Sequence, residues 1–252
     1  MKIGLKLHST NVALISDARE LKAKEFFDFV ELYVIPESYK NTIENWKSFD
    51  IPYVIHAPHS YHGVNFAQGD MWESNHKNFN ETQKFADTLD SDIIIVHSGN
   101  NGSFDETLRQ LKLLNEKRIV LENKPKVGIA DELCVGWSPF EFQRAVDSGI
   151  IHGTALDFGH AVCAAAAIGV DVMGVIQGFM EFNPKIYHLA DGDILSEKDV
   201  HLNLGKGTFN LAEFIAVIPL DAYLTIETPR KPSNGLEDFV EDVLFLRKIS
   251  IQ

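Results

Sequence analysis

Cysteine is scarce in this chain: only Cys134 and Cys163 occur among 252 residues, and they form no CxxC pair. This excludes a CxxC-type zinc or redox motif and fits a reducing compartment, so we expect both thiols to be packing residues. Long apolar runs are also missing, because residues 161–175 are interrupted by two glycines and an aspartate and are too short to span a bilayer. Residues 1–8 alternate like a strand and lack the apolar core and cleavage site of a signal peptide. We therefore expect a cytoplasmic protein without a membrane segment.

Basic charge is in deficit as well. The chain has 23 Lys and Arg residues against 36 Asp and Glu residues, for a formal net charge of −13. A field of this sign repels a polyanion at long range and argues against a general nucleic-acid binder. The composition is otherwise ordinary for a soluble globular protein, with 45% hydrophobic residues, and the length suits one large domain over residues 1–252.

Strand-like runs alternate with segments of helical period along the whole chain. This alternation is typical of a parallel sheet, and eight such units in 252 residues match the size of a (β/α)8 TIM barrel. A doubly wound open sheet is the alternative. The predicted strands are 2–8, 28–34, 52–56, 92–97, 118–122, 153–157, 185–189 and 222–227. The predicted helices are 17–26, 38–48, 75–89, 104–116, 138–148, 161–181, 209–217 and 236–248, with capping signals at Ser103, Ser138 and Asn210.

Histidines and acids gather at the ends of the predicted strands. Neutral imidazole and carboxylate are the usual ligands of zinc and manganese. In a TIM barrel the carboxyl ends of all strands meet at one face, so these side chains would converge on one site, which favours the barrel over the open sheet. The residues at or just past the end of a predicted strand or of another short apolar run are His56, His97, Glu122, Asp157, His160, His188, His201 and Glu227.

Each of these residues has an ordinary explanation when taken singly. Asp157 could cap the helix that follows it, and Glu122 or Glu227 could be a polar residue emerging from the core. Together, however, they would crowd ionisable groups at the mouth of a packed core, which is costly unless a cation compensates them. The set therefore predicts a metal site. His59 is a second candidate for the ligand position of His56, which we prefer because it directly ends its strand.

A succession of short motifs contains most of these residues: His56-Ala-Pro, Val96-His97-Ser-Gly99, Leu121-Glu122-Asn, Leu156-Asp157-Phe-Gly-His160-Ala, His188-Leu-Ala-Asp191, Asp199-Val-His201-Leu-Asn-Leu-Gly205-Lys-Gly207 and Ile226-Glu227-Thr. The most specific part is the Asp-x-His sequence followed by Leu-Gly-x-Gly. The succession resembles the xylose isomerase-like barrel superfamily, known as AP endonuclease family 2, and within it most closely the endonuclease IV branch.

The resemblance implies a cluster of three zinc ions in which Glu122 bridges two ions and Glu122 and Glu227 are the catalytic residues. We predict two or three zinc ions per chain, with manganese as a possible replacement. The implied ligand groups are His56, His97 and Glu122; Glu122, Asp157, His188 and Glu227; and His160, Asp199 and His201. Each ion would receive three or four nitrogen or oxygen donors and keep room for water or substrate. Such a centre hydrolyses phosphodiesters.

Sugar isomerases and epimerases of the same superfamily provide an alternative. They use one divalent ion held by the equivalents of Glu122, Asp157, His188 and Glu227, with the two glutamates as an acid and base pair. That set is also present, but an isomerase has no chemical need for the remaining histidines or for the Asp199 and His201 pair. A non-catalytic metal-binding protein is a third hypothesis.

Three departures from the endonuclease pattern bear on the substrate. The loop over residues 35–40 lacks the arginine that the family inserts into a duplex, and Tyr39 and Tyr61 are the nearby aromatic candidates. Residues 123–127 replace a glycine-rich run, and Ser98 stands where proline is usual.

Basic residues follow several of the predicted ligands inside an otherwise acidic chain, and as a group they indicate phosphate binding. They are Lys124, Lys126, Lys206, Arg230 and Lys231. We therefore predict a zinc-dependent phosphodiester hydrolase that acts on an anionic substrate, either abasic-site DNA or a phosphorylated small molecule, and needs no protein partner.

Overall fold

The computed structural model describes residues 1–230 and 235–250. Eight parallel strands close into a barrel in the order β1-β2-β3-β4-β5-β6-β7-β8, with β8 paired to β1. This confirms the (β/α)8 barrel and excludes the open sheet. The strands are β1 Lys2–His8, β2 Phe29–Tyr33, β3 Tyr53–His56, β4 Ile94–His97, β5 Ile119–Glu122, β6 Gly153–Asp157, β7 Ile186–Leu189 and β8 Tyr223–Ile226.

Helices follow the strands and cover the outside of the barrel. Ser103 and Ser138 accept hydrogen bonds from the backbone N–H groups of Glu106 and Glu141, so both act as the predicted caps. Asn210 precedes its helix but donates from its amide to the Glu213 carboxylate instead. The helices are α1 Ile15–Ala23, α2 Tyr39–Ser48, α3 Trp72–Thr88, α4 Phe104–Leu114, α5 Pro139–Asp147, α6 Phe158–Ile168, α7 Val172–Met180, α8 Leu211–Ala216 and α9 Glu237–Ile249.

The single helix predicted over residues 161–181 is wrong in two respects. Gly169 adopts a left-handed conformation with a φ of +68°, which ends α6, and the Asp171 carboxylate then accepts from the Gly174 N–H to begin α7. The first helix also begins at Phe158 rather than Ala161, because the Asp157 side chain caps it through the His160 N–H. Gly169 therefore marks the end of one helix, and Asp171, two residues later, marks the beginning of the next.

Two layers of side chains fill the barrel lumen, because alternate residues of each strand point inward. The lower layer is an apolar cluster, which we call the lumen core: Phe29, Val54, Ile95, Val120, Ala155 and Ile186. Two residues further along each strand lies the charged layer: Lys6, Glu31, His56, His97, Glu122, Asp157 and His188. Gly4 lies below Lys6, and the ring of Phe29 occupies the space that a side chain at Gly4 would need.

Both cysteines are buried free thiols, as expected for packing residues. Within residues 1–230 and 235–250, none of the helices combines the length and the apolar character that a bilayer crossing requires.

Candidate metal centre

The charged layer brings its side chains together because they lie on the inward face near the carboxyl ends of their strands, which meet at one face of the barrel. Tyr33 pairs with His56, His97 pairs with Glu122, and Asp157 pairs with His188. Glu227 directly follows β8, where its N–H donates to the Leu189 carbonyl. All nine predicted ligands except Asp199 fall into three groups in which potential ligand atoms lie within 4.8 Å of one another: His56, His97 and Glu122; Glu122, Asp157, His188 and Glu227; and Asp157, His160 and His201.

Glu122 belongs to two of these groups, and its two oxygens point in different directions. Oε2 lies 3.2 Å from His56 Nε2 and 3.0 Å from His97 Nε2. Oε1 lies 3.4 Å from His188 Nδ1. The side chain is fully buried in the middle of the layer. Its geometry is that of a carboxylate placed between two ligand groups.

Asp199 belongs to the long connection between β7 and α8 and faces the third group. Its Oδ2 lies 2.7 Å from His201 Nε2 and 3.5 Å from His160 Nε2. Asp157 reaches the same group from the barrel, so the third group contains one more carboxylate than the sequence indicates. Asp157 therefore has two roles at once, because its Oδ1 caps α6 while its Oδ2 lies 3.9 Å from His188 Nδ1.

The second ring nitrogen of several histidines is held by a hydrogen-bond acceptor. His56 Nδ1 lies 2.8 Å from the Ala57 carbonyl, and His160 Nδ1 lies 2.7 Å from the Asn123 carbonyl. Since a carbonyl only accepts, these nitrogens carry the proton, and the Nε2 atoms of both rings are left facing carboxylates of the centre. Histidines that bind metals are oriented in this way.

Unpartnered buried atoms test whether the residues fit a metal ion. Among the described residues, His188 Nδ1 and Glu227 Oε2 are buried without a hydrogen-bond partner, and they lie 3.0 Å apart. Two acceptor atoms at this distance repel each other unless a proton or a cation lies between them. The donor set of imidazoles and carboxylates suits zinc or manganese, so the residues present fit a divalent ion.

The charges of the centre shift the pKa values of its own groups. Burial is the main cause that raises the pKa of Asp157 to about 6. Burial alone would lower the pKa of His160 and His201, but the neighbouring carboxylates outweigh it and raise these values to about 9 and about 10. In the protein without metal, protonated imidazoles therefore compensate part of the negative charge. A metal ion would displace these protons.

Lys6 and Glu31 are charged members of the same layer that the sequence analysis missed. Lys6 Nζ lies 3.1 Å from Glu31 Oε1 and 2.6 Å from Glu227 Oε1. Both residues lie inside correctly predicted strands, whereas the predicted ligands lie at or beyond strand ends. The signal was present in the alternation Phe29-Val-Glu31-Leu-Tyr33, where the period of two places a carboxylate on the lumen side of a buried strand.

His59 lies beside the first group without belonging to it. Its ring stacks on His97 with centroids 4.9 Å apart and an interplanar angle of 9°. Its backbone N–H donates to the Tyr33 hydroxyl, which in turn bonds His62 Nδ1 at 2.8 Å. His56, rather than His59, is therefore the histidine of this segment that the structure brings to Glu122.

A cavity of about 720 Å³ opens above the centre and is lined by His97, His160, Asp199, His201 and Glu227. The same cavity is bordered by Tyr61 and Ile129, two apolar side chains that are 85% and 71% exposed. Tyr39 instead packs against Phe85 and bonds Thr88, away from the cavity.

The predicted phosphate-binding residues occupy different surroundings. Lys124 lines the cavity, and its buried side chain places Nζ 3.4 Å from His97 Nδ1. Lys126 lies over the ring of Trp137, and Lys206 is exposed in its turn. Arg230 donates to the Lys6 carbonyl at the β1 side of the mouth. Lys231 lies outside the described residues.

Comparison with known proteins gives a consistent fold. The sequence profile of the xylose isomerase-like TIM barrel family matches residues 20–249. No curated protein sequence matches the chain. Similar solved structures include a D-tagatose 3-epimerase-like protein, with a TM-score of 0.74 and 22% identity over 100% of this chain and 97% of that one. Endonuclease IV from Thermus thermophilus gives 0.72 and 20% over 100% and 99%. A Thermus thermophilus protein soaked with zinc chloride gives 0.71 and 17% over 99% and 98%.

Proposed function

Because the chain belongs to the xylose isomerase-like TIM barrel family, we propose that it is a metalloenzyme that holds two or three zinc ions, or manganese in their place, in its three ligand groups. With these ions it hydrolyses a phosphodiester. The natural substrate is abasic-site DNA or a smaller phosphoester. One observation carries this proposal. The group of Asp157, His160 and His201, with Asp199 against it, adds donors beyond the single group that proton transfer on a sugar requires.

Each of the three ligand groups contains at least one carboxylate, so negative charge is present at every position where an ion would bind. When bound, divalent ions activate water and neutralise charge that develops on a phosphodiester. Glu122 holds two groups together because one oxygen faces His56 and His97 and the other faces His188. Water attacks phosphorus, the bond from phosphorus to the sugar oxygen breaks, and the leaving oxygen takes up a proton.

Lys124 is the residue best placed to bind the substrate phosphate. Its ammonium group lies at the cavity wall beside His97. We find no carboxylate paired with it among the salt bridges of residues 1–230 and 235–250. A cation without an acidic partner at a cavity wall attracts an anionic group of the substrate. Tyr61 and Ile129 at the rim offer flat or apolar surface to a base or sugar that is displaced from a duplex.

A sugar or sugar-phosphate isomerase or epimerase is the second candidate. The group of Glu122, Asp157, His188 and Glu227 is complete and would hold one ion between two glutamates. Against it, Lys6 contacts Glu227 Oε1 at 2.6 Å, so a single oxygen, Oε2, would have to serve both the ion and a proton shuttle.

The two candidates are separated by one paired assay on protein purified without chelator. Nicking of an abasic-site duplex is measured beside deuterium exchange into a panel of ketoses and their phosphates. His201→Ala should abolish nicking, whereas the exposed His76 on α3 gives a matched control in His76→Ala. Nicking without exchange supports the hydrolase. Exchange without nicking, unchanged in His201→Ala, would replace it with the isomerase.

A further inference from the structure

Glu227 and His188, two candidate ligands of the same group, are connected through the ion pair of Lys6 and Glu31. Lys6 Nζ contacts Glu227 Oε1 at 2.6 Å and Glu31 Oε1 at 3.1 Å. Glu31 Oε2 lies 2.8 Å from His188 Nε2 and also accepts from the Thr225 hydroxyl at 2.7 Å. Lys6 and Glu31 are direct neighbours in the register of β1 and β2. The chain of contacts therefore runs from Glu227 through Lys6 and Glu31 to His188.

Glu31 decides which nitrogen of His188 is available. A carboxylate that also accepts from Thr225 and faces Lys6 can only accept from the imidazole, so His188 Nε2 carries a proton. The opposite atom, Nδ1, then faces the carboxylates of Glu227 and Glu122 at 3.0 and 3.4 Å. A carboxylate behind a histidine is a common way of fixing the ring nitrogen that binds a metal.

Lys6 has the corresponding effect on Glu227. It takes Oε1 and leaves Oε2 as the only oxygen turned toward His188 and the centre. Glu227 can therefore offer a metal ion one oxygen and not two. The Lys6 side chain is 13% exposed and Glu31 is fully buried, so little water competes with these contacts. Without Lys6, the carboxylates of Glu31 and Glu227 would lose the cation that contacts them both.

From these contacts we infer that Lys6 and Glu31 are positioning residues for one metal ion, the ion held by Glu122, Asp157, His188 and Glu227. Glu31 orients His188 and Lys6 restricts Glu227 to a single oxygen, so the ion keeps a coordination position open for substrate. The inference deepens the proposed function at its own site. It concerns one ion of the centre, and it holds whether that ion serves hydrolysis or isomerisation.

Zinc titration of chelator-stripped protein against a competing chelator tests this directly. Lys6→Met should lower the affinity for one zinc ion by about 10- to 100-fold and leave the affinity for any other ion unchanged. Lys6→Arg keeps the charge and should retain more affinity than Lys6→Met. Lys2→Met is the matched control, because Lys2 lies in the same strand at the opposite end of the barrel and contacts Tyr223.

The double variant Lys6→Met with Glu31→Gln distinguishes positioning from a general loss of stability. Both residues act through one chain of contacts, so the loss of zinc affinity in the double variant should be smaller than the product of the losses in the two single variants. The melting temperature of each variant is measured as a control for stability. The inference would be overturned if Lys6→Met left the zinc affinity unchanged, or if it lowered the affinity for every bound zinc ion equally. Wild-type protein that binds zinc but hydrolyses neither an abasic-site duplex nor a small phosphodiester would refute the proposed function and leave this result standing.

Discussion

Asp199 Oδ2 lies 2.7 Å from His201 Nε2, although both residues belong to a long connection and not to a barrel strand. Within this connection an antiparallel bridge pairs Asp191 with Leu202. Asp191 also accepts hydrogen bonds from the N–H groups of Gly205 and Gly207, which fixes the turn that follows. A loop organised in this way carries Asp199 and His201 to the third ligand group at the mouth of the barrel.

His201→Ala removes an imidazole of this third group and leaves the other two groups intact. We expect the zinc content of protein purified without chelator to fall by about one ion per chain, from about three to about two. Elemental analysis measures it, with His76→Ala as the control. One ion per chain in both wild type and His201→Ala would instead favour the isomerase.

Glu122→Gln keeps the shape of the side chain that lies between two groups but removes its charge. The variant should lose the negative oxygen that faces both His56 and His97. We expect phosphodiester hydrolysis to fall by about 10³-fold or more, as when the central residue of a catalytic unit is removed. Steady-state rates on an abasic-site duplex measure the loss, and a variant within about tenfold of wild type would contradict the bridging role.

Stability of the metal-free protein should depend on pH in a defined direction. The nearby carboxylates outweigh burial and raise the pKa of His160 to about 9 and that of His201 to about 10, above the unfolded value of 6.5. Groups with a raised pKa stabilise the fold fully below pH 6.5 and lose this contribution as the pH rises through their folded values. The melting temperature without metal should therefore fall between pH 6.5 and about 9 to 10.

The zinc-loaded protein provides the comparison for this pH series. Metal binding requires neutral imidazoles, so in the loaded protein the same histidines no longer gain a proton on folding. The fall in melting temperature over this range should be reduced after zinc is added, and zinc binding should release protons into a weakly buffered solution. Identical pH profiles with and without zinc would show that the histidines of the third group do not bind the metal.

Salt dependence should separate duplex DNA from a small substrate. If DNA binds at the mouth, replacing Lys124, Lys126, Arg230 and Lys231 with Ala should weaken binding and flatten the dependence on salt concentration. Among single variants, Lys124→Ala should have the larger effect, because Lys124 lines the cavity whereas Lys126 lies over Trp137. Equal effects of the two would show that the cavity wall has no special role. If the substrate is instead a phosphorylated sugar, the Ala variants should show a raised KM for it, and neither they nor the wild type should bind DNA measurably.

The strand pattern allowed the barrel and the position of its mouth to be predicted from the sequence, because strand ends converge in a parallel barrel wherever the loops go. His56, His97 and Glu122 end their strands and meet as this geometry requires. The division of residues 161–181 into α6 and α7 was not predicted, because Gly169 lies within an apolar segment whose sequence does not reveal its left-handed backbone conformation. The orientation of Lys126 could not be read from sequence, since it depends on how the loop after β5 places Trp137.

Lys6 and Glu31 were missed for a different reason. A charge in the middle of a strand looks like an ordinary surface residue unless the inward face of that strand is known. The inward face becomes evident only when Phe29 is placed in the lumen core and the alternation is counted from it. Searching strand interiors for charges in register with strand-end ligands would have found both residues.

The two layers of the lumen differ in what holds them in place. The lumen core is apolar and is packed without reference to any ion, whereas the charged layer above it depends on a balance of carboxylates, imidazoles and one ammonium group. Backbone amides at the two ends of a strand should therefore exchange with solvent through different openings. Chelation would loosen one rim of a barrel whose other rim stays closed, so the protein would lose its site well before it lost its fold.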